Sequence, residues 1–304
     1  MEFSFFAKRS CFSLLLVIHA FAVWLQAQPK EPVFPYRLHQ PDFTFKLDKS
    51  LKEVSGLSLD ATGQMLLAVQ DEAGVLYFID RTTGRLDHYI NFAENGDFEG
   101  VEWAEGRAYA IKSNGKLYSI NFDPEGTVTV QEWETDLKKD YDIEGLGWHP
   151  GRKELLIACK SRVKPYTKET RVVFSFDPAT GKRLEQPAYA IARLALIDYL
   201  NQHPGKMADQ LRPGFFEKDL TPKMPFAPSA IAVHPHNSDI YLLSSAGDML
   251  VVLSASGVVK HIEYLKPKIH AQPEGLAFAP DGTLYLSNEG KKGKGLIHVF
   301  VQKR

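Results

Sequence analysis

The sequence predicts an all-β fold, a single closed β-propeller of five blades. Three observations carry this reading: a short motif written five times, a spacing of 44 to 45 residues between most copies, and β-rich filling of each repeat.

The copies are "EVSGLSLD" at Glu53, "DFEGVEWA" at Asp97, "DIEGLGWHP" at Asp142, "APSAIAVHP" at Ala227 and "QPEGLAFAP" at Gln272. Aligned, their small residues are Gly56, Gly100, Gly145, Ala230 and Gly275, in steps of 44, 45, 85 and 45 residues. Such a period belongs to solenoids or propellers. The content of the repeats decides between them. Each motif is followed by a turn such as "DATGQ" or "APDG", a second strand such as "MLLAVQD" or "TLYLSNE", and a third such as "VLYFID" or "RVVFSFD". Two copies show a fourth, "LDHYINF" and "TVTVQEWE". Four short strands rich in Val, Ile, Tyr and Phe, punctuated by Gly, Asp and Asn, make a propeller blade.

The last copy has three strands before Arg304, whereas "DFTFKL", ahead of the first copy, alternates Phe43, Phe45 and Leu47 as a half-buried strand does. It is expected to complete the last blade and so remove an open sheet edge. Within the 85-residue step, Ile191, Leu194 and Ala195 take helical spacing and His203-Pro204-Gly205 stops the run. This predicts a helical insertion around 190–225 outside the ring; a hidden sixth blade is the alternative.

At the N-terminus, Lys8 and Arg9 precede a 14-residue apolar run, Phe12 to Leu25, too short for a comfortable membrane span. Residues 1–27 therefore read as a secretory signal peptide, with an uncleaved N-terminal membrane anchor as the alternative. Residues 28–41 follow as a linker and 42–304 as the propeller. The expected location is outside the cytoplasm, in the periplasm or cell envelope, with membrane association through the N-terminus in the anchor case. A net charge of −1 with scattered basic residues excludes nucleic acid as a partner. Once Cys11 leaves with the signal, Cys159 stands alone in "ELLIACK" and reads as a small buried hydrophobe.

Pseudo-symmetry points to a site. The residues just before the aligned small residue are Ser55, Glu99, Glu144, Ser229 and Glu274, which places all five at one mouth of the central channel. Carboxylates ~6 Å apart at an effective dielectric of ~20 repel by about 3 kcal/mol per pair. Protonation, cationic neighbours or a bound cation must offset this. The ends of the second strands supply Asp71, Glu72, Asn288 and Glu289, and also Lys112 and Lys160. An oxygen-only set suits a hard cation, Ca²⁺ before Mg²⁺. A glutamate that only accepts backbone N–H bonds is the structural alternative. His149 and His234 read as turn residues at the opposite end, and Trp103 and Trp148 as inter-blade packing. No His-Glu-x-x-His or Gly-x-Ser-x-Gly motif occurs.

From about Phe43 to Val301, the ordered set "KEVSGLSLD", "LLAVQDEAGVLYFID", "GDFEGVEWAEGRAYAIKSNGKLYSI", "DIEGLGWHP", "PSAIAVHP" and "QPEGLAFAPDGTLYLSNEG" resembles the SdiA-regulated, or YjiK-like, β-propellers. That family is similar to calcium-linked propellers and, more distantly, to phytase-like and esterase-like ones. The resemblance implies a calcium-associated envelope protein. Its acidic positions match Glu53, Glu99, Glu144 and Glu274, with Asp71 and Glu289; Ser229-Ala230 departs from the pattern in the fourth copy. Two functional readings follow. In the first, Glu53, Glu99, Glu144, Glu274 and Glu289 hold Ca²⁺, and Asp71, Glu72, Lys112, Lys160 and Asn288 contact a small molecule or an envelope protein. In the second, the chain is a Ca²⁺-dependent phosphoesterase or esterase, with Lys112 and Lys160 on the anion and Asp71 or Glu72 as general base. No nucleophile is identified.

Overall fold

Five antiparallel sheets follow one another along the chain in a computed structural model that describes residues 34–123, 125–291 and 293–303. The expected signal or anchor lies outside the described residues, as do residues 28–33 of the expected linker. Each sheet begins with one copy of the motif: Val54–Leu59, Phe98–Ala104, Ile143–His149, Ala230–Val233 and Pro273–Phe278. Successive strands then pair outward in chain order, which makes these five the innermost strands. The five-bladed count holds. The first blade is typical: Met65–Gln70 and Ala73–Asp80 are largely buried, while the outermost Leu86–Asn91 is largely exposed.

The last blade closes as expected. Phe43–Lys46 lies antiparallel to Leu296–Phe300, with Phe43 opposite Val299 and Lys46 opposite Leu296. Thr44 Oγ1 and His298 Nδ1, 2.9 Å apart, tie the two strands through side chains as well. The chain before this strand also packs on the propeller. Tyr36 and Leu38 are buried. The Tyr36 hydroxyl donates to Gly282 O at 2.7 Å, and His270 Nε2 donates to Leu38 O at 2.8 Å.

The third blade differs at its outer edge, where Lys182–Arg183 and Tyr189–Ala192 each pair with Thr170–Asp177. Ile191, expected in the helix, is in this strand, because alternation with Tyr189 carries both side chains into the core. The helix is Arg193–Gln202, and it buries Leu196, Tyr199 and Leu200 while Leu194 is exposed. With Lys206–Leu211 and the turn Arg212–Phe215 it packs beside Val259–Tyr264, the outermost strand of the fourth blade. The insertion therefore covers a blade edge and leaves the ring count unchanged.

The repeated glycine has a packing cause. A Cβ on Gly56 would stand 2.6 Å from Val101 N, and one on Gly100 would stand 2.8 Å from Leu146 Cβ. One on Gly145 would meet Ile231 N at 3.1 Å, and one on Gly275 would meet Leu57 Cβ at 2.8 Å. In four of the five blades the innermost strand thus presses its glycine on the next blade, an approach that a side chain would hinder, while the fourth carries Ala230 at this position.

Candidate functional site

The glutamates preceding these glycines meet where the sequence places them. Glu99, Glu144 and Glu274 line one cavity with Gly56, Gly100, Gly145 and Ala230. Beneath them Leu57, Val101, Leu146, Ile231 and Leu276 form a buried apolar ring across the channel. The cavity volume is about 10 Å³, room for roughly one water. Ser55 and Ser229, in the two remaining blades, are buried, and Ser229 Oγ donates to Pro273 O at 2.8 Å.

Each glutamate meets its neighbours' charge differently. Burial, then the charge of Glu144, pushes the Glu99 carboxyl far above the usual range, and a hydrogen bond to Asp97 keeps its proton in place. Asp97 in turn accepts from Ser113 Oγ. Glu144 Oε1 accepts from Lys160 Nζ at 2.8 Å, yet burial still raises its pKa. Glu274, raised to about 8 by burial and then by Glu144, receives a bond from Ser245. Its Oε2 is buried and has no hydrogen-bond partner.

Further unpartnered buried atoms stand close by in the fold. Asn288 lies opposite Pro273 in the sheet, and its Oδ1 and Nδ2 are both unsatisfied. Gln272 Oε1 and Asp71 Oδ1 are too, and Glu289 N donates to Gln272 O at 3.0 Å. Asp71 is raised by burial and then by Glu53, and Glu289 by burial and then by Asp71. Asp71, Glu53 and Glu289 therefore form an acidic group between the first and last blades. Buried polar atoms are normally satisfied, so this collection calls for water or an ion. The donor chemistry, carboxylate and amide oxygen, fits a hard cation. No three Asp, Glu, His or Cys side chains among the described residues converge closely enough to hold a metal as they stand. A cation there would draw on amide oxygens and require the carboxylates to close on it.

The remaining expected contacts do not join Glu99, Glu144 and Glu274 in their cavity. Lys112 Nζ lies over the Phe98 ring, 4.7 Å from its centroid, and 5.5 Å from that of Tyr118. Glu72 is exposed. Glu53 is half-exposed, with Lys52 Nζ 3.6 Å from Oε1. His149 and His234 do serve turns: His149 Nδ1 accepts from Arg152 N and His234 Nδ1 from His236 N. Cys159 is fully buried, its thiol pushed up to about 12 by burial.

Sequence reasoning missed Glu102. Two places after the aligned small residue the five blades read Ser58, Glu102, Gly147, Ala232 and Ala277, so a single acid among small residues was the available signal. Its Oε1 accepts from Ser58 Oγ at 2.5 Å and from Trp103 N at 2.8 Å. Its Oε2 accepts from Trp148 N at 3.0 Å. One side chain so joins the first three blades. Trp103 and Trp148, expected as packing, do contact the core but also line the opposite channel mouth.

Fold and channel together define a five-bladed propeller with one acidic and one aromatic mouth. Comparison agrees on the class: the SdiA-regulated family model matches residues 37–190, and the chain belongs to that family. No curated protein matches it. Among solved structures it is similar to the PQQ-bound form of an aldose sugar dehydrogenase from Streptomyces coelicolor. There the identity is 11%, the TM-score 0.50, and the coverage 86% of this chain and 97% of that one. It is also similar to a luciferin-regenerating enzyme, at 10% identity and a TM-score of 0.48, over 87% of this chain and 98% of that one. At such identities the likeness concerns fold alone.

Proposed function

We propose that this chain is a non-enzymatic binding propeller of the cell envelope whose acidic channel mouth takes a hard divalent cation, Ca²⁺ in the first instance. The observation that carries the reading is the buried, unpartnered Glu274 Oε2 beside Glu144 and Glu99, with further unpaired oxygens on Asp71, Gln272 and Asn288. A cation bound there neutralises the mutual repulsion and occupies those acceptors. With the ion in place, the mouth presents a surface to which a small molecule or an envelope partner with its own acidic or carbonyl oxygens can bind.

Two features favour binding over ester hydrolysis. Lys160 is engaged by Glu144, and Lys112 rests on aromatic rings, so neither is free to clamp an anion. The envelope location rests on the basic pair and apolar run at residues 8–25. No helix among the described residues is long and apolar enough to cross a membrane. The test is a melting curve of the purified chain in excess Ca²⁺, in excess Mg²⁺ and in chelator. A higher melting temperature with Ca²⁺ than with Mg²⁺ supports the proposal, and coincident curves in all three conditions reject it.

A further inference from the structure

At the other end of the channel, below the apolar ring, lies a second cavity of about 420 Å³. That is within the range of small-molecule sites, roughly 300–1,000 Å³. Its wall is the third residue after the aligned small one in each blade: Leu59, Trp103, Trp148, Val233 and Phe278, all only partly buried. The floor is the preceding position, where Ser58, Ala232 and Ala277 leave space and Glu102 enters it. Asp60, whose carboxylate caps its own turn, stands at the rim. Among the described residues, no Lys, Arg or His lines this cavity.

We infer that this mouth is a binding site for a small organic cation, an alkylated ammonium held between the aromatic faces of Trp103, Trp148 and Phe278 with its charge toward Glu102. Aromatic faces attract ammonium groups through their negative quadrupole, most strongly where water is excluded. Glu102 accepts three hydrogen bonds, and a carboxylate has about four acceptor positions, so one remains for the ligand. Its hydrogen bonds to Ser58 Oγ and the amides of Trp103 and Trp148 fix the carboxylate before any ligand arrives. The small floor residues of the other blades make that carboxylate reachable. Burial raises the Glu102 pKa to about 7, so an approaching cation also favours its ionised form. The site is separate from the acidic mouth and does not depend on the calcium reading.

The probes are choline and its neutral carbon isostere, dimethylbutanol, titrated against the intact chain while tryptophan fluorescence is followed. Choline should give a saturable change at Trp103 and Trp148, and the neutral isostere should bind about tenfold more weakly or less. Glu102→Gln should weaken choline binding by about tenfold while leaving the isostere unaffected. Trp148→Leu keeps the backbone amide that Glu102 uses and removes one aromatic face, so it should also weaken choline. If Glu102→Gln proves too unstable to titrate, Trp148→Leu decides in the same way. No saturable response to choline, an equal response to the isostere, or unchanged affinity in the folded variants would overturn the assignment.

Discussion

Lys160 Nζ stands 2.8 Å from Glu144 Oε1, an ion pair across adjacent strands of the third blade, with the Glu144 side chain 9% exposed and that of Lys160 36%. The pair supplies positive charge to a mouth otherwise built from carboxyls.

Removing its basic half should therefore destabilise the fold. Breaking a fully buried pair costs about 3–5 kcal/mol, because a charge is left without compensation. Lys160 is partly exposed, so Lys160→Met should cost less, about 1–2 kcal/mol by urea titration at neutral pH. The double variant Lys160→Met/Glu144→Gln should recover most of that loss. Additive losses in the double variant would mean that the two side chains act independently.

The raised carboxyls give stability a distinctive pH dependence. Glu99 and Glu144 are raised, and Glu274 is raised from 4.5 to about 8. A carboxyl raised in the folded state keeps its proton where the unfolded chain has lost it. Stability from this source is fullest below the unfolded value and declines as pH climbs through the native one. Buried histidines act in the opposite sense. His234 and His270 fall from 6.5 to about 4, and His149 and His298 are also lowered, so their contribution is lost as pH falls below 6.5. Above that value only the carboxyl trend remains. In chelator the unfolding free energy from urea titration should be lower at about pH 8.5 than at about pH 6.5, by on the order of 1 kcal/mol, with the midpoint falling accordingly, and Glu274→Gln should flatten the slope. A midpoint that rises over this interval would contradict the burial of these carboxyls.

Much of this was legible in the sequence because the repeat writes one structural role five times. The Glu-Gly pairs located both the inner strands and the acidic mouth, and the alternation of Phe43, Phe45 and Leu47 located the closing strand. What stayed hidden were relationships between repeats. That Glu99 turns to Asp97 while Glu144 turns to Lys160 depends on the path of each strand entry, which a shared motif cannot encode. Glu102 was obscured because it breaks the repeat, and alignment draws attention to what recurs. Ile191 was misplaced because alternation over the four residues Tyr189–Ala192 also satisfies the start of a helical pattern.

The glycine of the motif offers a test of blade packing separate from the chemistry. Gly100→Ala drives a methyl toward Leu146 Cβ and N, at 2.8 and 2.9 Å, where backbone must shift. Overpacking of this kind costs about 1–3 kcal/mol. Gly145→Ala, whose nearest neighbours are at 3.1 Å, should be milder. Urea midpoints of the two variants should fall in that order, and equal stability would show that the blades can separate to admit the methyl.

Calcium should act on two glutamates in opposite ways. Binding to the folded chain alone stabilises by RT ln(1 + [L]/Kd), so Ca²⁺ at about 100 times Kd adds about 2.7 kcal/mol. Glu144 is paired, and Glu144→Gln leaves Lys160 without its partner, so this variant should lose stability even in chelator. Glu274 carries a buried oxygen with no partner, and its charge is opposed by Glu144 and Glu289. Glu274→Gln removes that charge and nearly keeps the volume, so above about pH 8 in chelator it should be as stable as the native chain or more so. In Ca²⁺ the order should reverse, because the native chain gains the binding energy and Glu274→Gln loses most of it. Melting curves of the native chain and both variants, with and without Ca²⁺, contain the whole comparison. If Glu274→Gln is destabilised in chelator and the native chain gains nothing from Ca²⁺, the glutamates serve the backbone alone and the cation site does not exist.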